Sequence, residues 1–283
     1  MKIGIIGNGL WGTALGAVLN RAGHSVVFES GLGYREVWQP NAAAKIRAET
    51  PVTIRDADVW IMATPSDFFR KNLMLCSGEY NNQPIVMCAK GIETDTDKTL
   101  LEIVQEVIPG APVVVFTGPQ FADEVQAGMP TGSLLAGSAS VRDIVRQLFS
   151  EFYLEESDDI IGAEIAGAGK NAVSVVYGYC KAKLSSRNEI AMMTSRAWSE
   201  VIAVGLAMGA DAMTFNGLAG FGDLFLSAAN GGGRNYAAGV AMAQGVKIVG
   251  TVEGLTAMTG LVNIGKKLNI DTPVLGGMLK KIK

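Results

Sequence analysis

The chain has little of what metal sites, disulfide frameworks and nucleic-acid binding require. It carries one histidine and three cysteines in 283 residues. Cys76, Cys88 and Cys180 have no C-x-x-C spacing and lie in apolar surroundings. That pattern excludes a disulfide framework and a zinc site, and reads as buried thiols in a reducing cytosol. Lys and Arg number 24 against 27 Asp and Glu, a formal charge of −3, without a block of five like charges. A nucleic-acid arm and a polybasic membrane patch are therefore not expected, although a small anion can still be bound locally. The apolar stretch from Ile3 to Leu19 has the outline of a signal peptide, but glycines at 4, 7, 9 and 12 with Asn8 interrupt the helix that such a segment needs. No later apolar run approaches the roughly 18 residues of a membrane span, so a cytoplasmic protein is expected.

Glycine, by contrast, is abundant, with 35 residues. The length suits two folding units, each large enough to bury a core. In the first half, short β-branched runs alternate with helical stretches. Lys2 to Ile6, Ser25 to Phe28, Asp58 to Ala63, Pro84 to Cys88 and Pro112 to Phe116 read as strands, several of them the continuous apolar runs of a parallel sheet. Gly132 to Ala136 and Phe152 to Glu155 extend the set. Leu10 to Ala22 and Asp97 to Val107 have helical spacing. After Asp158 small residues and Met recur at helical spacing, and no convincing strand follows. The pattern predicts an α/β protein: an N-terminal Rossmann-type doubly wound sheet over residues 1–157, followed by an all-helical C-terminal domain over 158–283.

Directly after the first strand stands G-N-G-L-W-G, with Gly7, Gly9 and Gly12 opening the first helix. In this strand–turn–helix setting the motif predicts that a dinucleotide pyrophosphate rests on the helix N-terminus, against Leu10 and Trp11. At the end of the second strand Glu29 would accept from a ribose 2′-hydroxyl and favour NAD. Ser30 with Arg35 would instead suit the 2′-phosphate of NADP, so the choice stays open. His24 falls at the end of the sheet away from this turn, which favours a structural role. The proton that accompanies a hydride must then move through another group. Lys170, within A-G-A-G-K-N-A-V, is a lone charge on a small, apolar helix. Burial there would lower its pKa toward a useful range. Asp223, in L-A-G-F-G-D-L-F-L, is a second lone charge that could pair with it, for catalysis or as a structural ion pair.

Taken in order, G-N-G-L-W-G-T-A-L, A-K-G-I-E at Ala89 to Glu93, T-G-P-Q-F-A at Thr117 to Ala122, G-A-G-K-N at Gly167 to Asn171, G-L-A-G-F-G-D-L at Gly217 to Leu224, G-R-N at Gly233 to Asn235 and V-E-G at Val252 to Gly254 resemble the NAD(P)-dependent glycerol-3-phosphate dehydrogenase family. The resemblance covers nearly the whole chain. It implies that Lys170 donates a proton to the carbonyl oxygen of dihydroxyacetone phosphate while Asp223 orients it, and that Lys90 polarises the substrate beside the cofactor. It further implies that Gly118, Gln120, Asn171 and Ser227 contact the substrate, and that Arg234 and Asn235 hold its phosphate, Arg234 also touching the cofactor. Trp11, Ala122 and Glu253 would line the cofactor. Ser227 replaces the family's usual Thr, and Gln120 its usual Asn or Thr. Gly31 stands where an Arg or His commonly reads NADP, the loop between Trp38 and Asp56 is short, and the chain ends at Lys283, before the family's final helices. The expected partner is a small phosphorylated substrate, and a homodimer is compatible with the resemblance. A related dehydrogenase for another small anionic carbonyl compound, and a noncatalytic dinucleotide sensor, are the alternatives.

Overall fold

The computed structural model describes residues 1–29, 35–40, 42–47, 53–229 and 233–282. The chain divides into two compact units, one of Met1–Ala89 with Leu100–Asp158 and one of Lys90–Thr99 with Asp159–Lys283. A single cut near residue 158 was expected. The segment Lys90–Thr99 is instead drawn to the second unit, where Ile92 packs on Gly260 and Asp97 accepts from Asn263 and Lys267.

The first unit runs β1 (Lys2–Ile6), α1 (Leu10–Arg21), β2 (Ser25–Glu29), β3 (Arg35–Trp38), β4 (Ile46–Arg47), β5 (Val59–Met62), α2 (Ser66–Ser77), β6 (Ile85–Met87), α3 (Leu100–Val107), β7 (Val113–Thr117), α4 (Ala122–Gln126), β8 (Gly132–Gly137), α5 (Ala139–Leu148) and β9 (Tyr153–Ser157). They form one sheet in the order β4-β3-β2-β1-β5-β6-β7-β8-β9. Strands β2, β1, β5, β6 and β7 are parallel, and β5 and β7 are buried along their length, as their unbroken apolar runs require. β1 pairs with β2 on one side and β5 on the other, so the chain reverses direction across the sheet at the carboxyl end of β1. In doubly wound sheets this switch point is where ligands bind.

Two expectations change in detail. The stretch after the second strand is not only a short loop, because β3 and β4 add antiparallel strands at the edge. They are short, and β4 is exposed on both residues, so they lack the buried apolar run that marked the others. The helix expected from Asp97 begins at Leu100, since Asp97 adopts φ +57° and its carboxylate is held by Asn263 and Lys267. The opposite edge, β9, carries Glu156, which pairs with Arg142 and Arg146 of α5. Charges of this kind discourage pairing with a foreign strand.

The second unit is helical, with no strand among its described residues: α6 (Ile160–Lys183), α7 (Arg187–Ala207), α8 (Ala212–Asn216), a π-helical turn at Leu218–Gly222, α9 (Asp223–Ala229), α10 (Arg234–Gln244), α11 (Glu253–Lys267) and α12 (Pro273–Leu279). α6 is its axis and is buried on most sides. Glycines let neighbours approach it backbone to backbone. A Cβ on Gly178 would stand 2.2 Å from the Tyr236 carbonyl oxygen of α10, and one on Gly254 of α11 would stand 2.5 Å from that of Asn171. Asp159 sets the start of α6 by accepting from the Gly162 amide at 2.8 Å, and it also receives the Asp211 amide and the Thr214 hydroxyl. Ser186 and Glu189 open α7 in the S-x-x-E pattern of a capping box, with the Ser186 hydroxyl accepting from the Glu189 amide.

Candidate active site

In the first unit the glycine turn stands at the switch point. Gly7 has φ +109° and donates its amide to the Glu29 carbonyl at 2.9 Å, which ties the end of β2 to the turn. A Cβ on Gly12 would meet the Gly7 carbonyl oxygen at 1.9 Å, so internal packing already demands glycine there. Gly9 differs. Its backbone suits any residue, and nothing lies within 4 Å of where its Cβ would be. Glycine at this position leaves room for something outside the fold, which is the role of the second glycine in a pyrophosphate-binding turn. Leu10 is largely exposed beside it, while Trp11 is half-buried against the core.

The carboxyl ends of the neighbouring strands fit the same use. Thr64 and Ser66 follow β5, and Thr117 ends β7. Their hydroxyls are buried without a hydrogen-bond partner among the described residues, and the Thr64 methyl would lie 3.0 Å from a Cβ on Gly7. Buried hydroxyls of this kind call for a partner. No local motif had singled out Thr64 or Ser66, because a Thr or Ser at the end of a strand has no distinctive spacing, whereas Thr117 opens the T-G-P-Q-F-A motif. Gly118 follows β7 with φ +146°, and Gln120 donates to the Ser133 hydroxyl. Ala122 opens α4 and packs on the core. Glu29 ends β2 and accepts from Arg35 at 2.7 Å. Ser30, Gly31, Gly231 and Gly232 lie outside the described residues. His24 sits at the other end of β1, its Nδ1 3.1 Å from the Met1 amine, apart from the glycine turn.

The second unit gathers residues far apart in sequence. The π-helical turn closes with the Gly222 amide donating to the Gly217 carbonyl, five residues back, and it delivers Asp223 to the start of α9. One carboxylate oxygen of Asp223 is 3.0 Å from the Lys170 ammonium, and the other is 2.6 Å from that of Lys90. Asp223 is buried, and its side chain is only 3% exposed, against 12% for Lys170 and 16% for Lys90. Ser227 lies one helical turn after Asp223, and its hydroxyl accepts from Lys170 at 3.3 Å. Burial pushes the Lys170 pKa below the ordinary lysine range, with the Lys90 charge acting in the same direction and Asp223 and Glu253 opposing. Burial alone would raise the Asp223 carboxyl, but the two ammoniums outweigh it and hold the group below its usual range.

Around this cluster Asn235 donates to the Asn171 side-chain oxygen at 2.8 Å and accepts the Gly254 amide at 2.9 Å. The starts of α10 and α11 are thereby fastened to α6, beside Glu253. Arg234, the first residue of α10, is exposed. The pairing of Lys170 with Asp223 had been expected. The sharing of that carboxylate with Lys90, 133 residues upstream of Asp223, had not.

A doubly wound sheet with a glycine turn at its switch point belongs to the dinucleotide-binding α/β class. The crystal structure of glycerol-3-phosphate dehydrogenase from Coxiella burnetii superimposes on the chain with a TM-score of 0.83 and 26% identity, over 98% of this chain and 94% of that one. Curated relatives named glycerol-3-phosphate dehydrogenase [NAD(P)+] include proteins of Mesorhizobium japonicum, 31% identical over 98% of this chain and 86% of the relative, and Parvibaculum lavamentivorans, 34% identical over 96% and 89%. Residues 39–141 match the N-terminus, and residues 159–282 the C-terminus, of NAD-dependent glycerol-3-phosphate dehydrogenase. The chain belongs to that family.

Proposed function

We propose that the chain interconverts dihydroxyacetone phosphate and sn-glycerol 3-phosphate, with NAD or NADP as hydride carrier and Lys170 as the general acid and base. Reduction of a ketone needs a hydride at carbon and a proton at oxygen. The nicotinamide, when bound, supplies the hydride. Gly7, Gly9, Leu10, Trp11 and Gly12 would hold the dinucleotide with Glu29, Ala122 and Glu253, and the hydroxyls of Thr64 and Ser66 are suited to join them. Lys170 gives its Nζ proton to the carbonyl oxygen, and Asp223 and Ser227 hold that Nζ in place. Lys90 adds a second positive charge at the oxygen where negative charge develops. Arg234 presents a fork matched to phosphate oxygens, and Asn235, anchored by Asn171, stands next to it. Gly118 and Gln120 complete the proposed substrate contacts. We also assign the reaction to the cytoplasm. Three buried cysteines, none in a disulfide, support this, and no helix among the described residues is long and apolar enough to cross a membrane.

The observation that carries the proposal is two ammoniums on one buried carboxylate. A purely structural pair would match one cation to one anion. Here two ammoniums share the carboxylate, which holds a positive field at one point where an anion or a developing alkoxide is stabilised. The test is to follow loss of reduced-nicotinamide absorbance with purified protein and dihydroxyacetone phosphate, with NADH and NADPH in parallel, and to identify the product. Formation of sn-glycerol 3-phosphate is expected. Cofactor binding without turnover of this substrate, while another anionic carbonyl compound is reduced, would overturn the assignment.

A further inference from the structure

Where β2 ends, Arg35 is held between two carboxylates. Its Nε donates to Glu29 at 2.7 Å, and its terminal nitrogens reach Glu79 at 2.5 and 3.2 Å. Glu79 is itself fixed, because it accepts from the Thr53 hydroxyl at 2.5 Å and the Ile54 amide at 3.0 Å. Burial would raise the Glu79 carboxyl, but these donors and the Arg35 charge bring it down to about 2, so it is ionised under all working conditions. Nearby, Lys45 is paired with Glu36 at 2.9 Å, and Glu36 also accepts from Asn8 of the glycine turn. Glu29 and Glu79 thus both act on the one Arg35 guanidinium. The buried thiol of Cys76 responds to the same field. Burial first, and then the charge of Glu29, push it up to about 12.

The Glu29 backbone is bonded to Gly7, which places this residue where a dinucleotide on the glycine turn presents its adenosine ribose. From this geometry, and resting on the dinucleotide-binding reading above, we infer that Glu79 holds Arg35 against Glu29 so that the ribose end of the site selects a 2′-hydroxyl over a 2′-phosphate, making NADH the preferred cofactor. Arg35 is the cation that sequence alone offered to a 2′-phosphate. A phosphate arriving there would compete with two carboxylates already in place and meet their charge. A ribose hydroxyl donates to carboxylate and carries no charge. Glu79 therefore acts as a positioning residue: it touches Arg35, and Arg35 sets what Glu29 presents.

The test is fluorescence titration of the full chain with NADH and with NADPH, without substrate, on wild type, Glu79→Gln and Glu29→Gln. Wild type should bind NADPH at least about tenfold more weakly than NADH, since specificity of this kind rests on a built-in repulsion. Glu79→Gln releases Arg35 and should narrow that ratio by roughly an order of magnitude through tighter NADPH binding. Glu29→Gln should narrow it chiefly through weaker NADH binding. It serves as the independent variant if Glu79→Gln does not fold. A wild type with equal affinities, or one that favours NADPH, overturns the inference and leaves the dinucleotide site standing. So does a ratio unchanged in both variants, the result expected if Glu79 only supports the fold. Binding of neither cofactor overturns the underlying reading as well.

Discussion

The two units each hold one charged triad, built with opposite signs. In the first unit one guanidinium lies between two carboxylates, Glu29–Arg35–Glu79. In the second, one carboxylate lies between two ammoniums, Lys170–Asp223–Lys90. In each triad one sign of charge outnumbers the other, and that sign decides what the triad tolerates as a neighbour. In the proposed reading the first repels an added phosphate, whereas the second attracts an anionic substrate and stabilises a developing alkoxide. Burial separates them further. The Asp223 side chain is 3% exposed and the Glu79 side chain 30%, so breaking the second triad costs more than breaking the first.

The largest effect is therefore expected at Asp223. Asp223→Ala leaves two ammoniums facing each other without the carboxylate they share, and should cost about 3–5 kcal/mol in denaturant unfolding. Replacing all three members together, with Lys90→Met, Asp223→Leu and Lys170→Met, should recover much of that stability while activity stays absent. Stability that stays low in the triple variant would mean that the triad holds the unit together, and the catalytic reading of the shared carboxylate would lose its support.

Next comes Lys170 itself. Lys170→Met should lower turnover by roughly 10²–10⁴-fold, the usual worth of a positioned acid, with NADH affinity retained. Near-normal turnover would remove Lys170 from the mechanism. The pH profile gives the sign. Reduction needs the ammonium, so its rate should fall as pH rises through a pKa below the ordinary lysine value. Oxidation needs the neutral amine, and should rise across the same interval. Profiles that move together in both directions would point to another group.

These residues were legible in the sequence for a physical reason. Lys170 and Asp223 are lone charges in small, apolar segments, and a charge that burial penalises needs a purpose. The glycine turn was legible because its spacing, after a strand and before a helix, encodes a backbone path. β3 and β4 were not, since short edge strands lack a buried face to impose alternation. The roles of Lys90 in the ion cluster and of Glu79 on Arg35 were hidden more deeply. Each depends on residues brought together across 133 and 44 positions of chain, and nothing local distinguishes Glu79 from any exposed glutamate. Thr64 and Ser66 became visible only when their hydroxyls were found buried and unpartnered among the described residues.

A smaller effect is expected outside the buried triad, at Arg234. This side chain is exposed at the start of α10, so Arg234→Ala should leave the fold intact. It should raise the substrate KM by about tenfold or more, with kcat reduced far less, as expected for a lost phosphate contact. An unchanged KM would move the anion site elsewhere.

The smallest effect belongs to the first triad and appears only in acid. The Glu79 carboxyl lies at about 2 in the folded chain against 4.5 for an ordinary glutamate. A depressed carboxyl stabilises the fold above its unfolded value, and that contribution disappears as pH falls through the folded one. Glu79→Gln should therefore be less stable than wild type above pH 4.5 by about 1–2 kcal/mol, a figure discounted for partial exposure. The difference should shrink steadily toward pH 2. Because Asp223 is untouched in both proteins, its own acid response cancels in the comparison, and the remaining slope reports the first triad alone. A difference that stays constant from pH 6 to pH 2 would mean that Glu79 stabilises through packing and neutral hydrogen bonds. Charge at the end of β2 would then be too weak to discriminate between a hydroxyl and a phosphate.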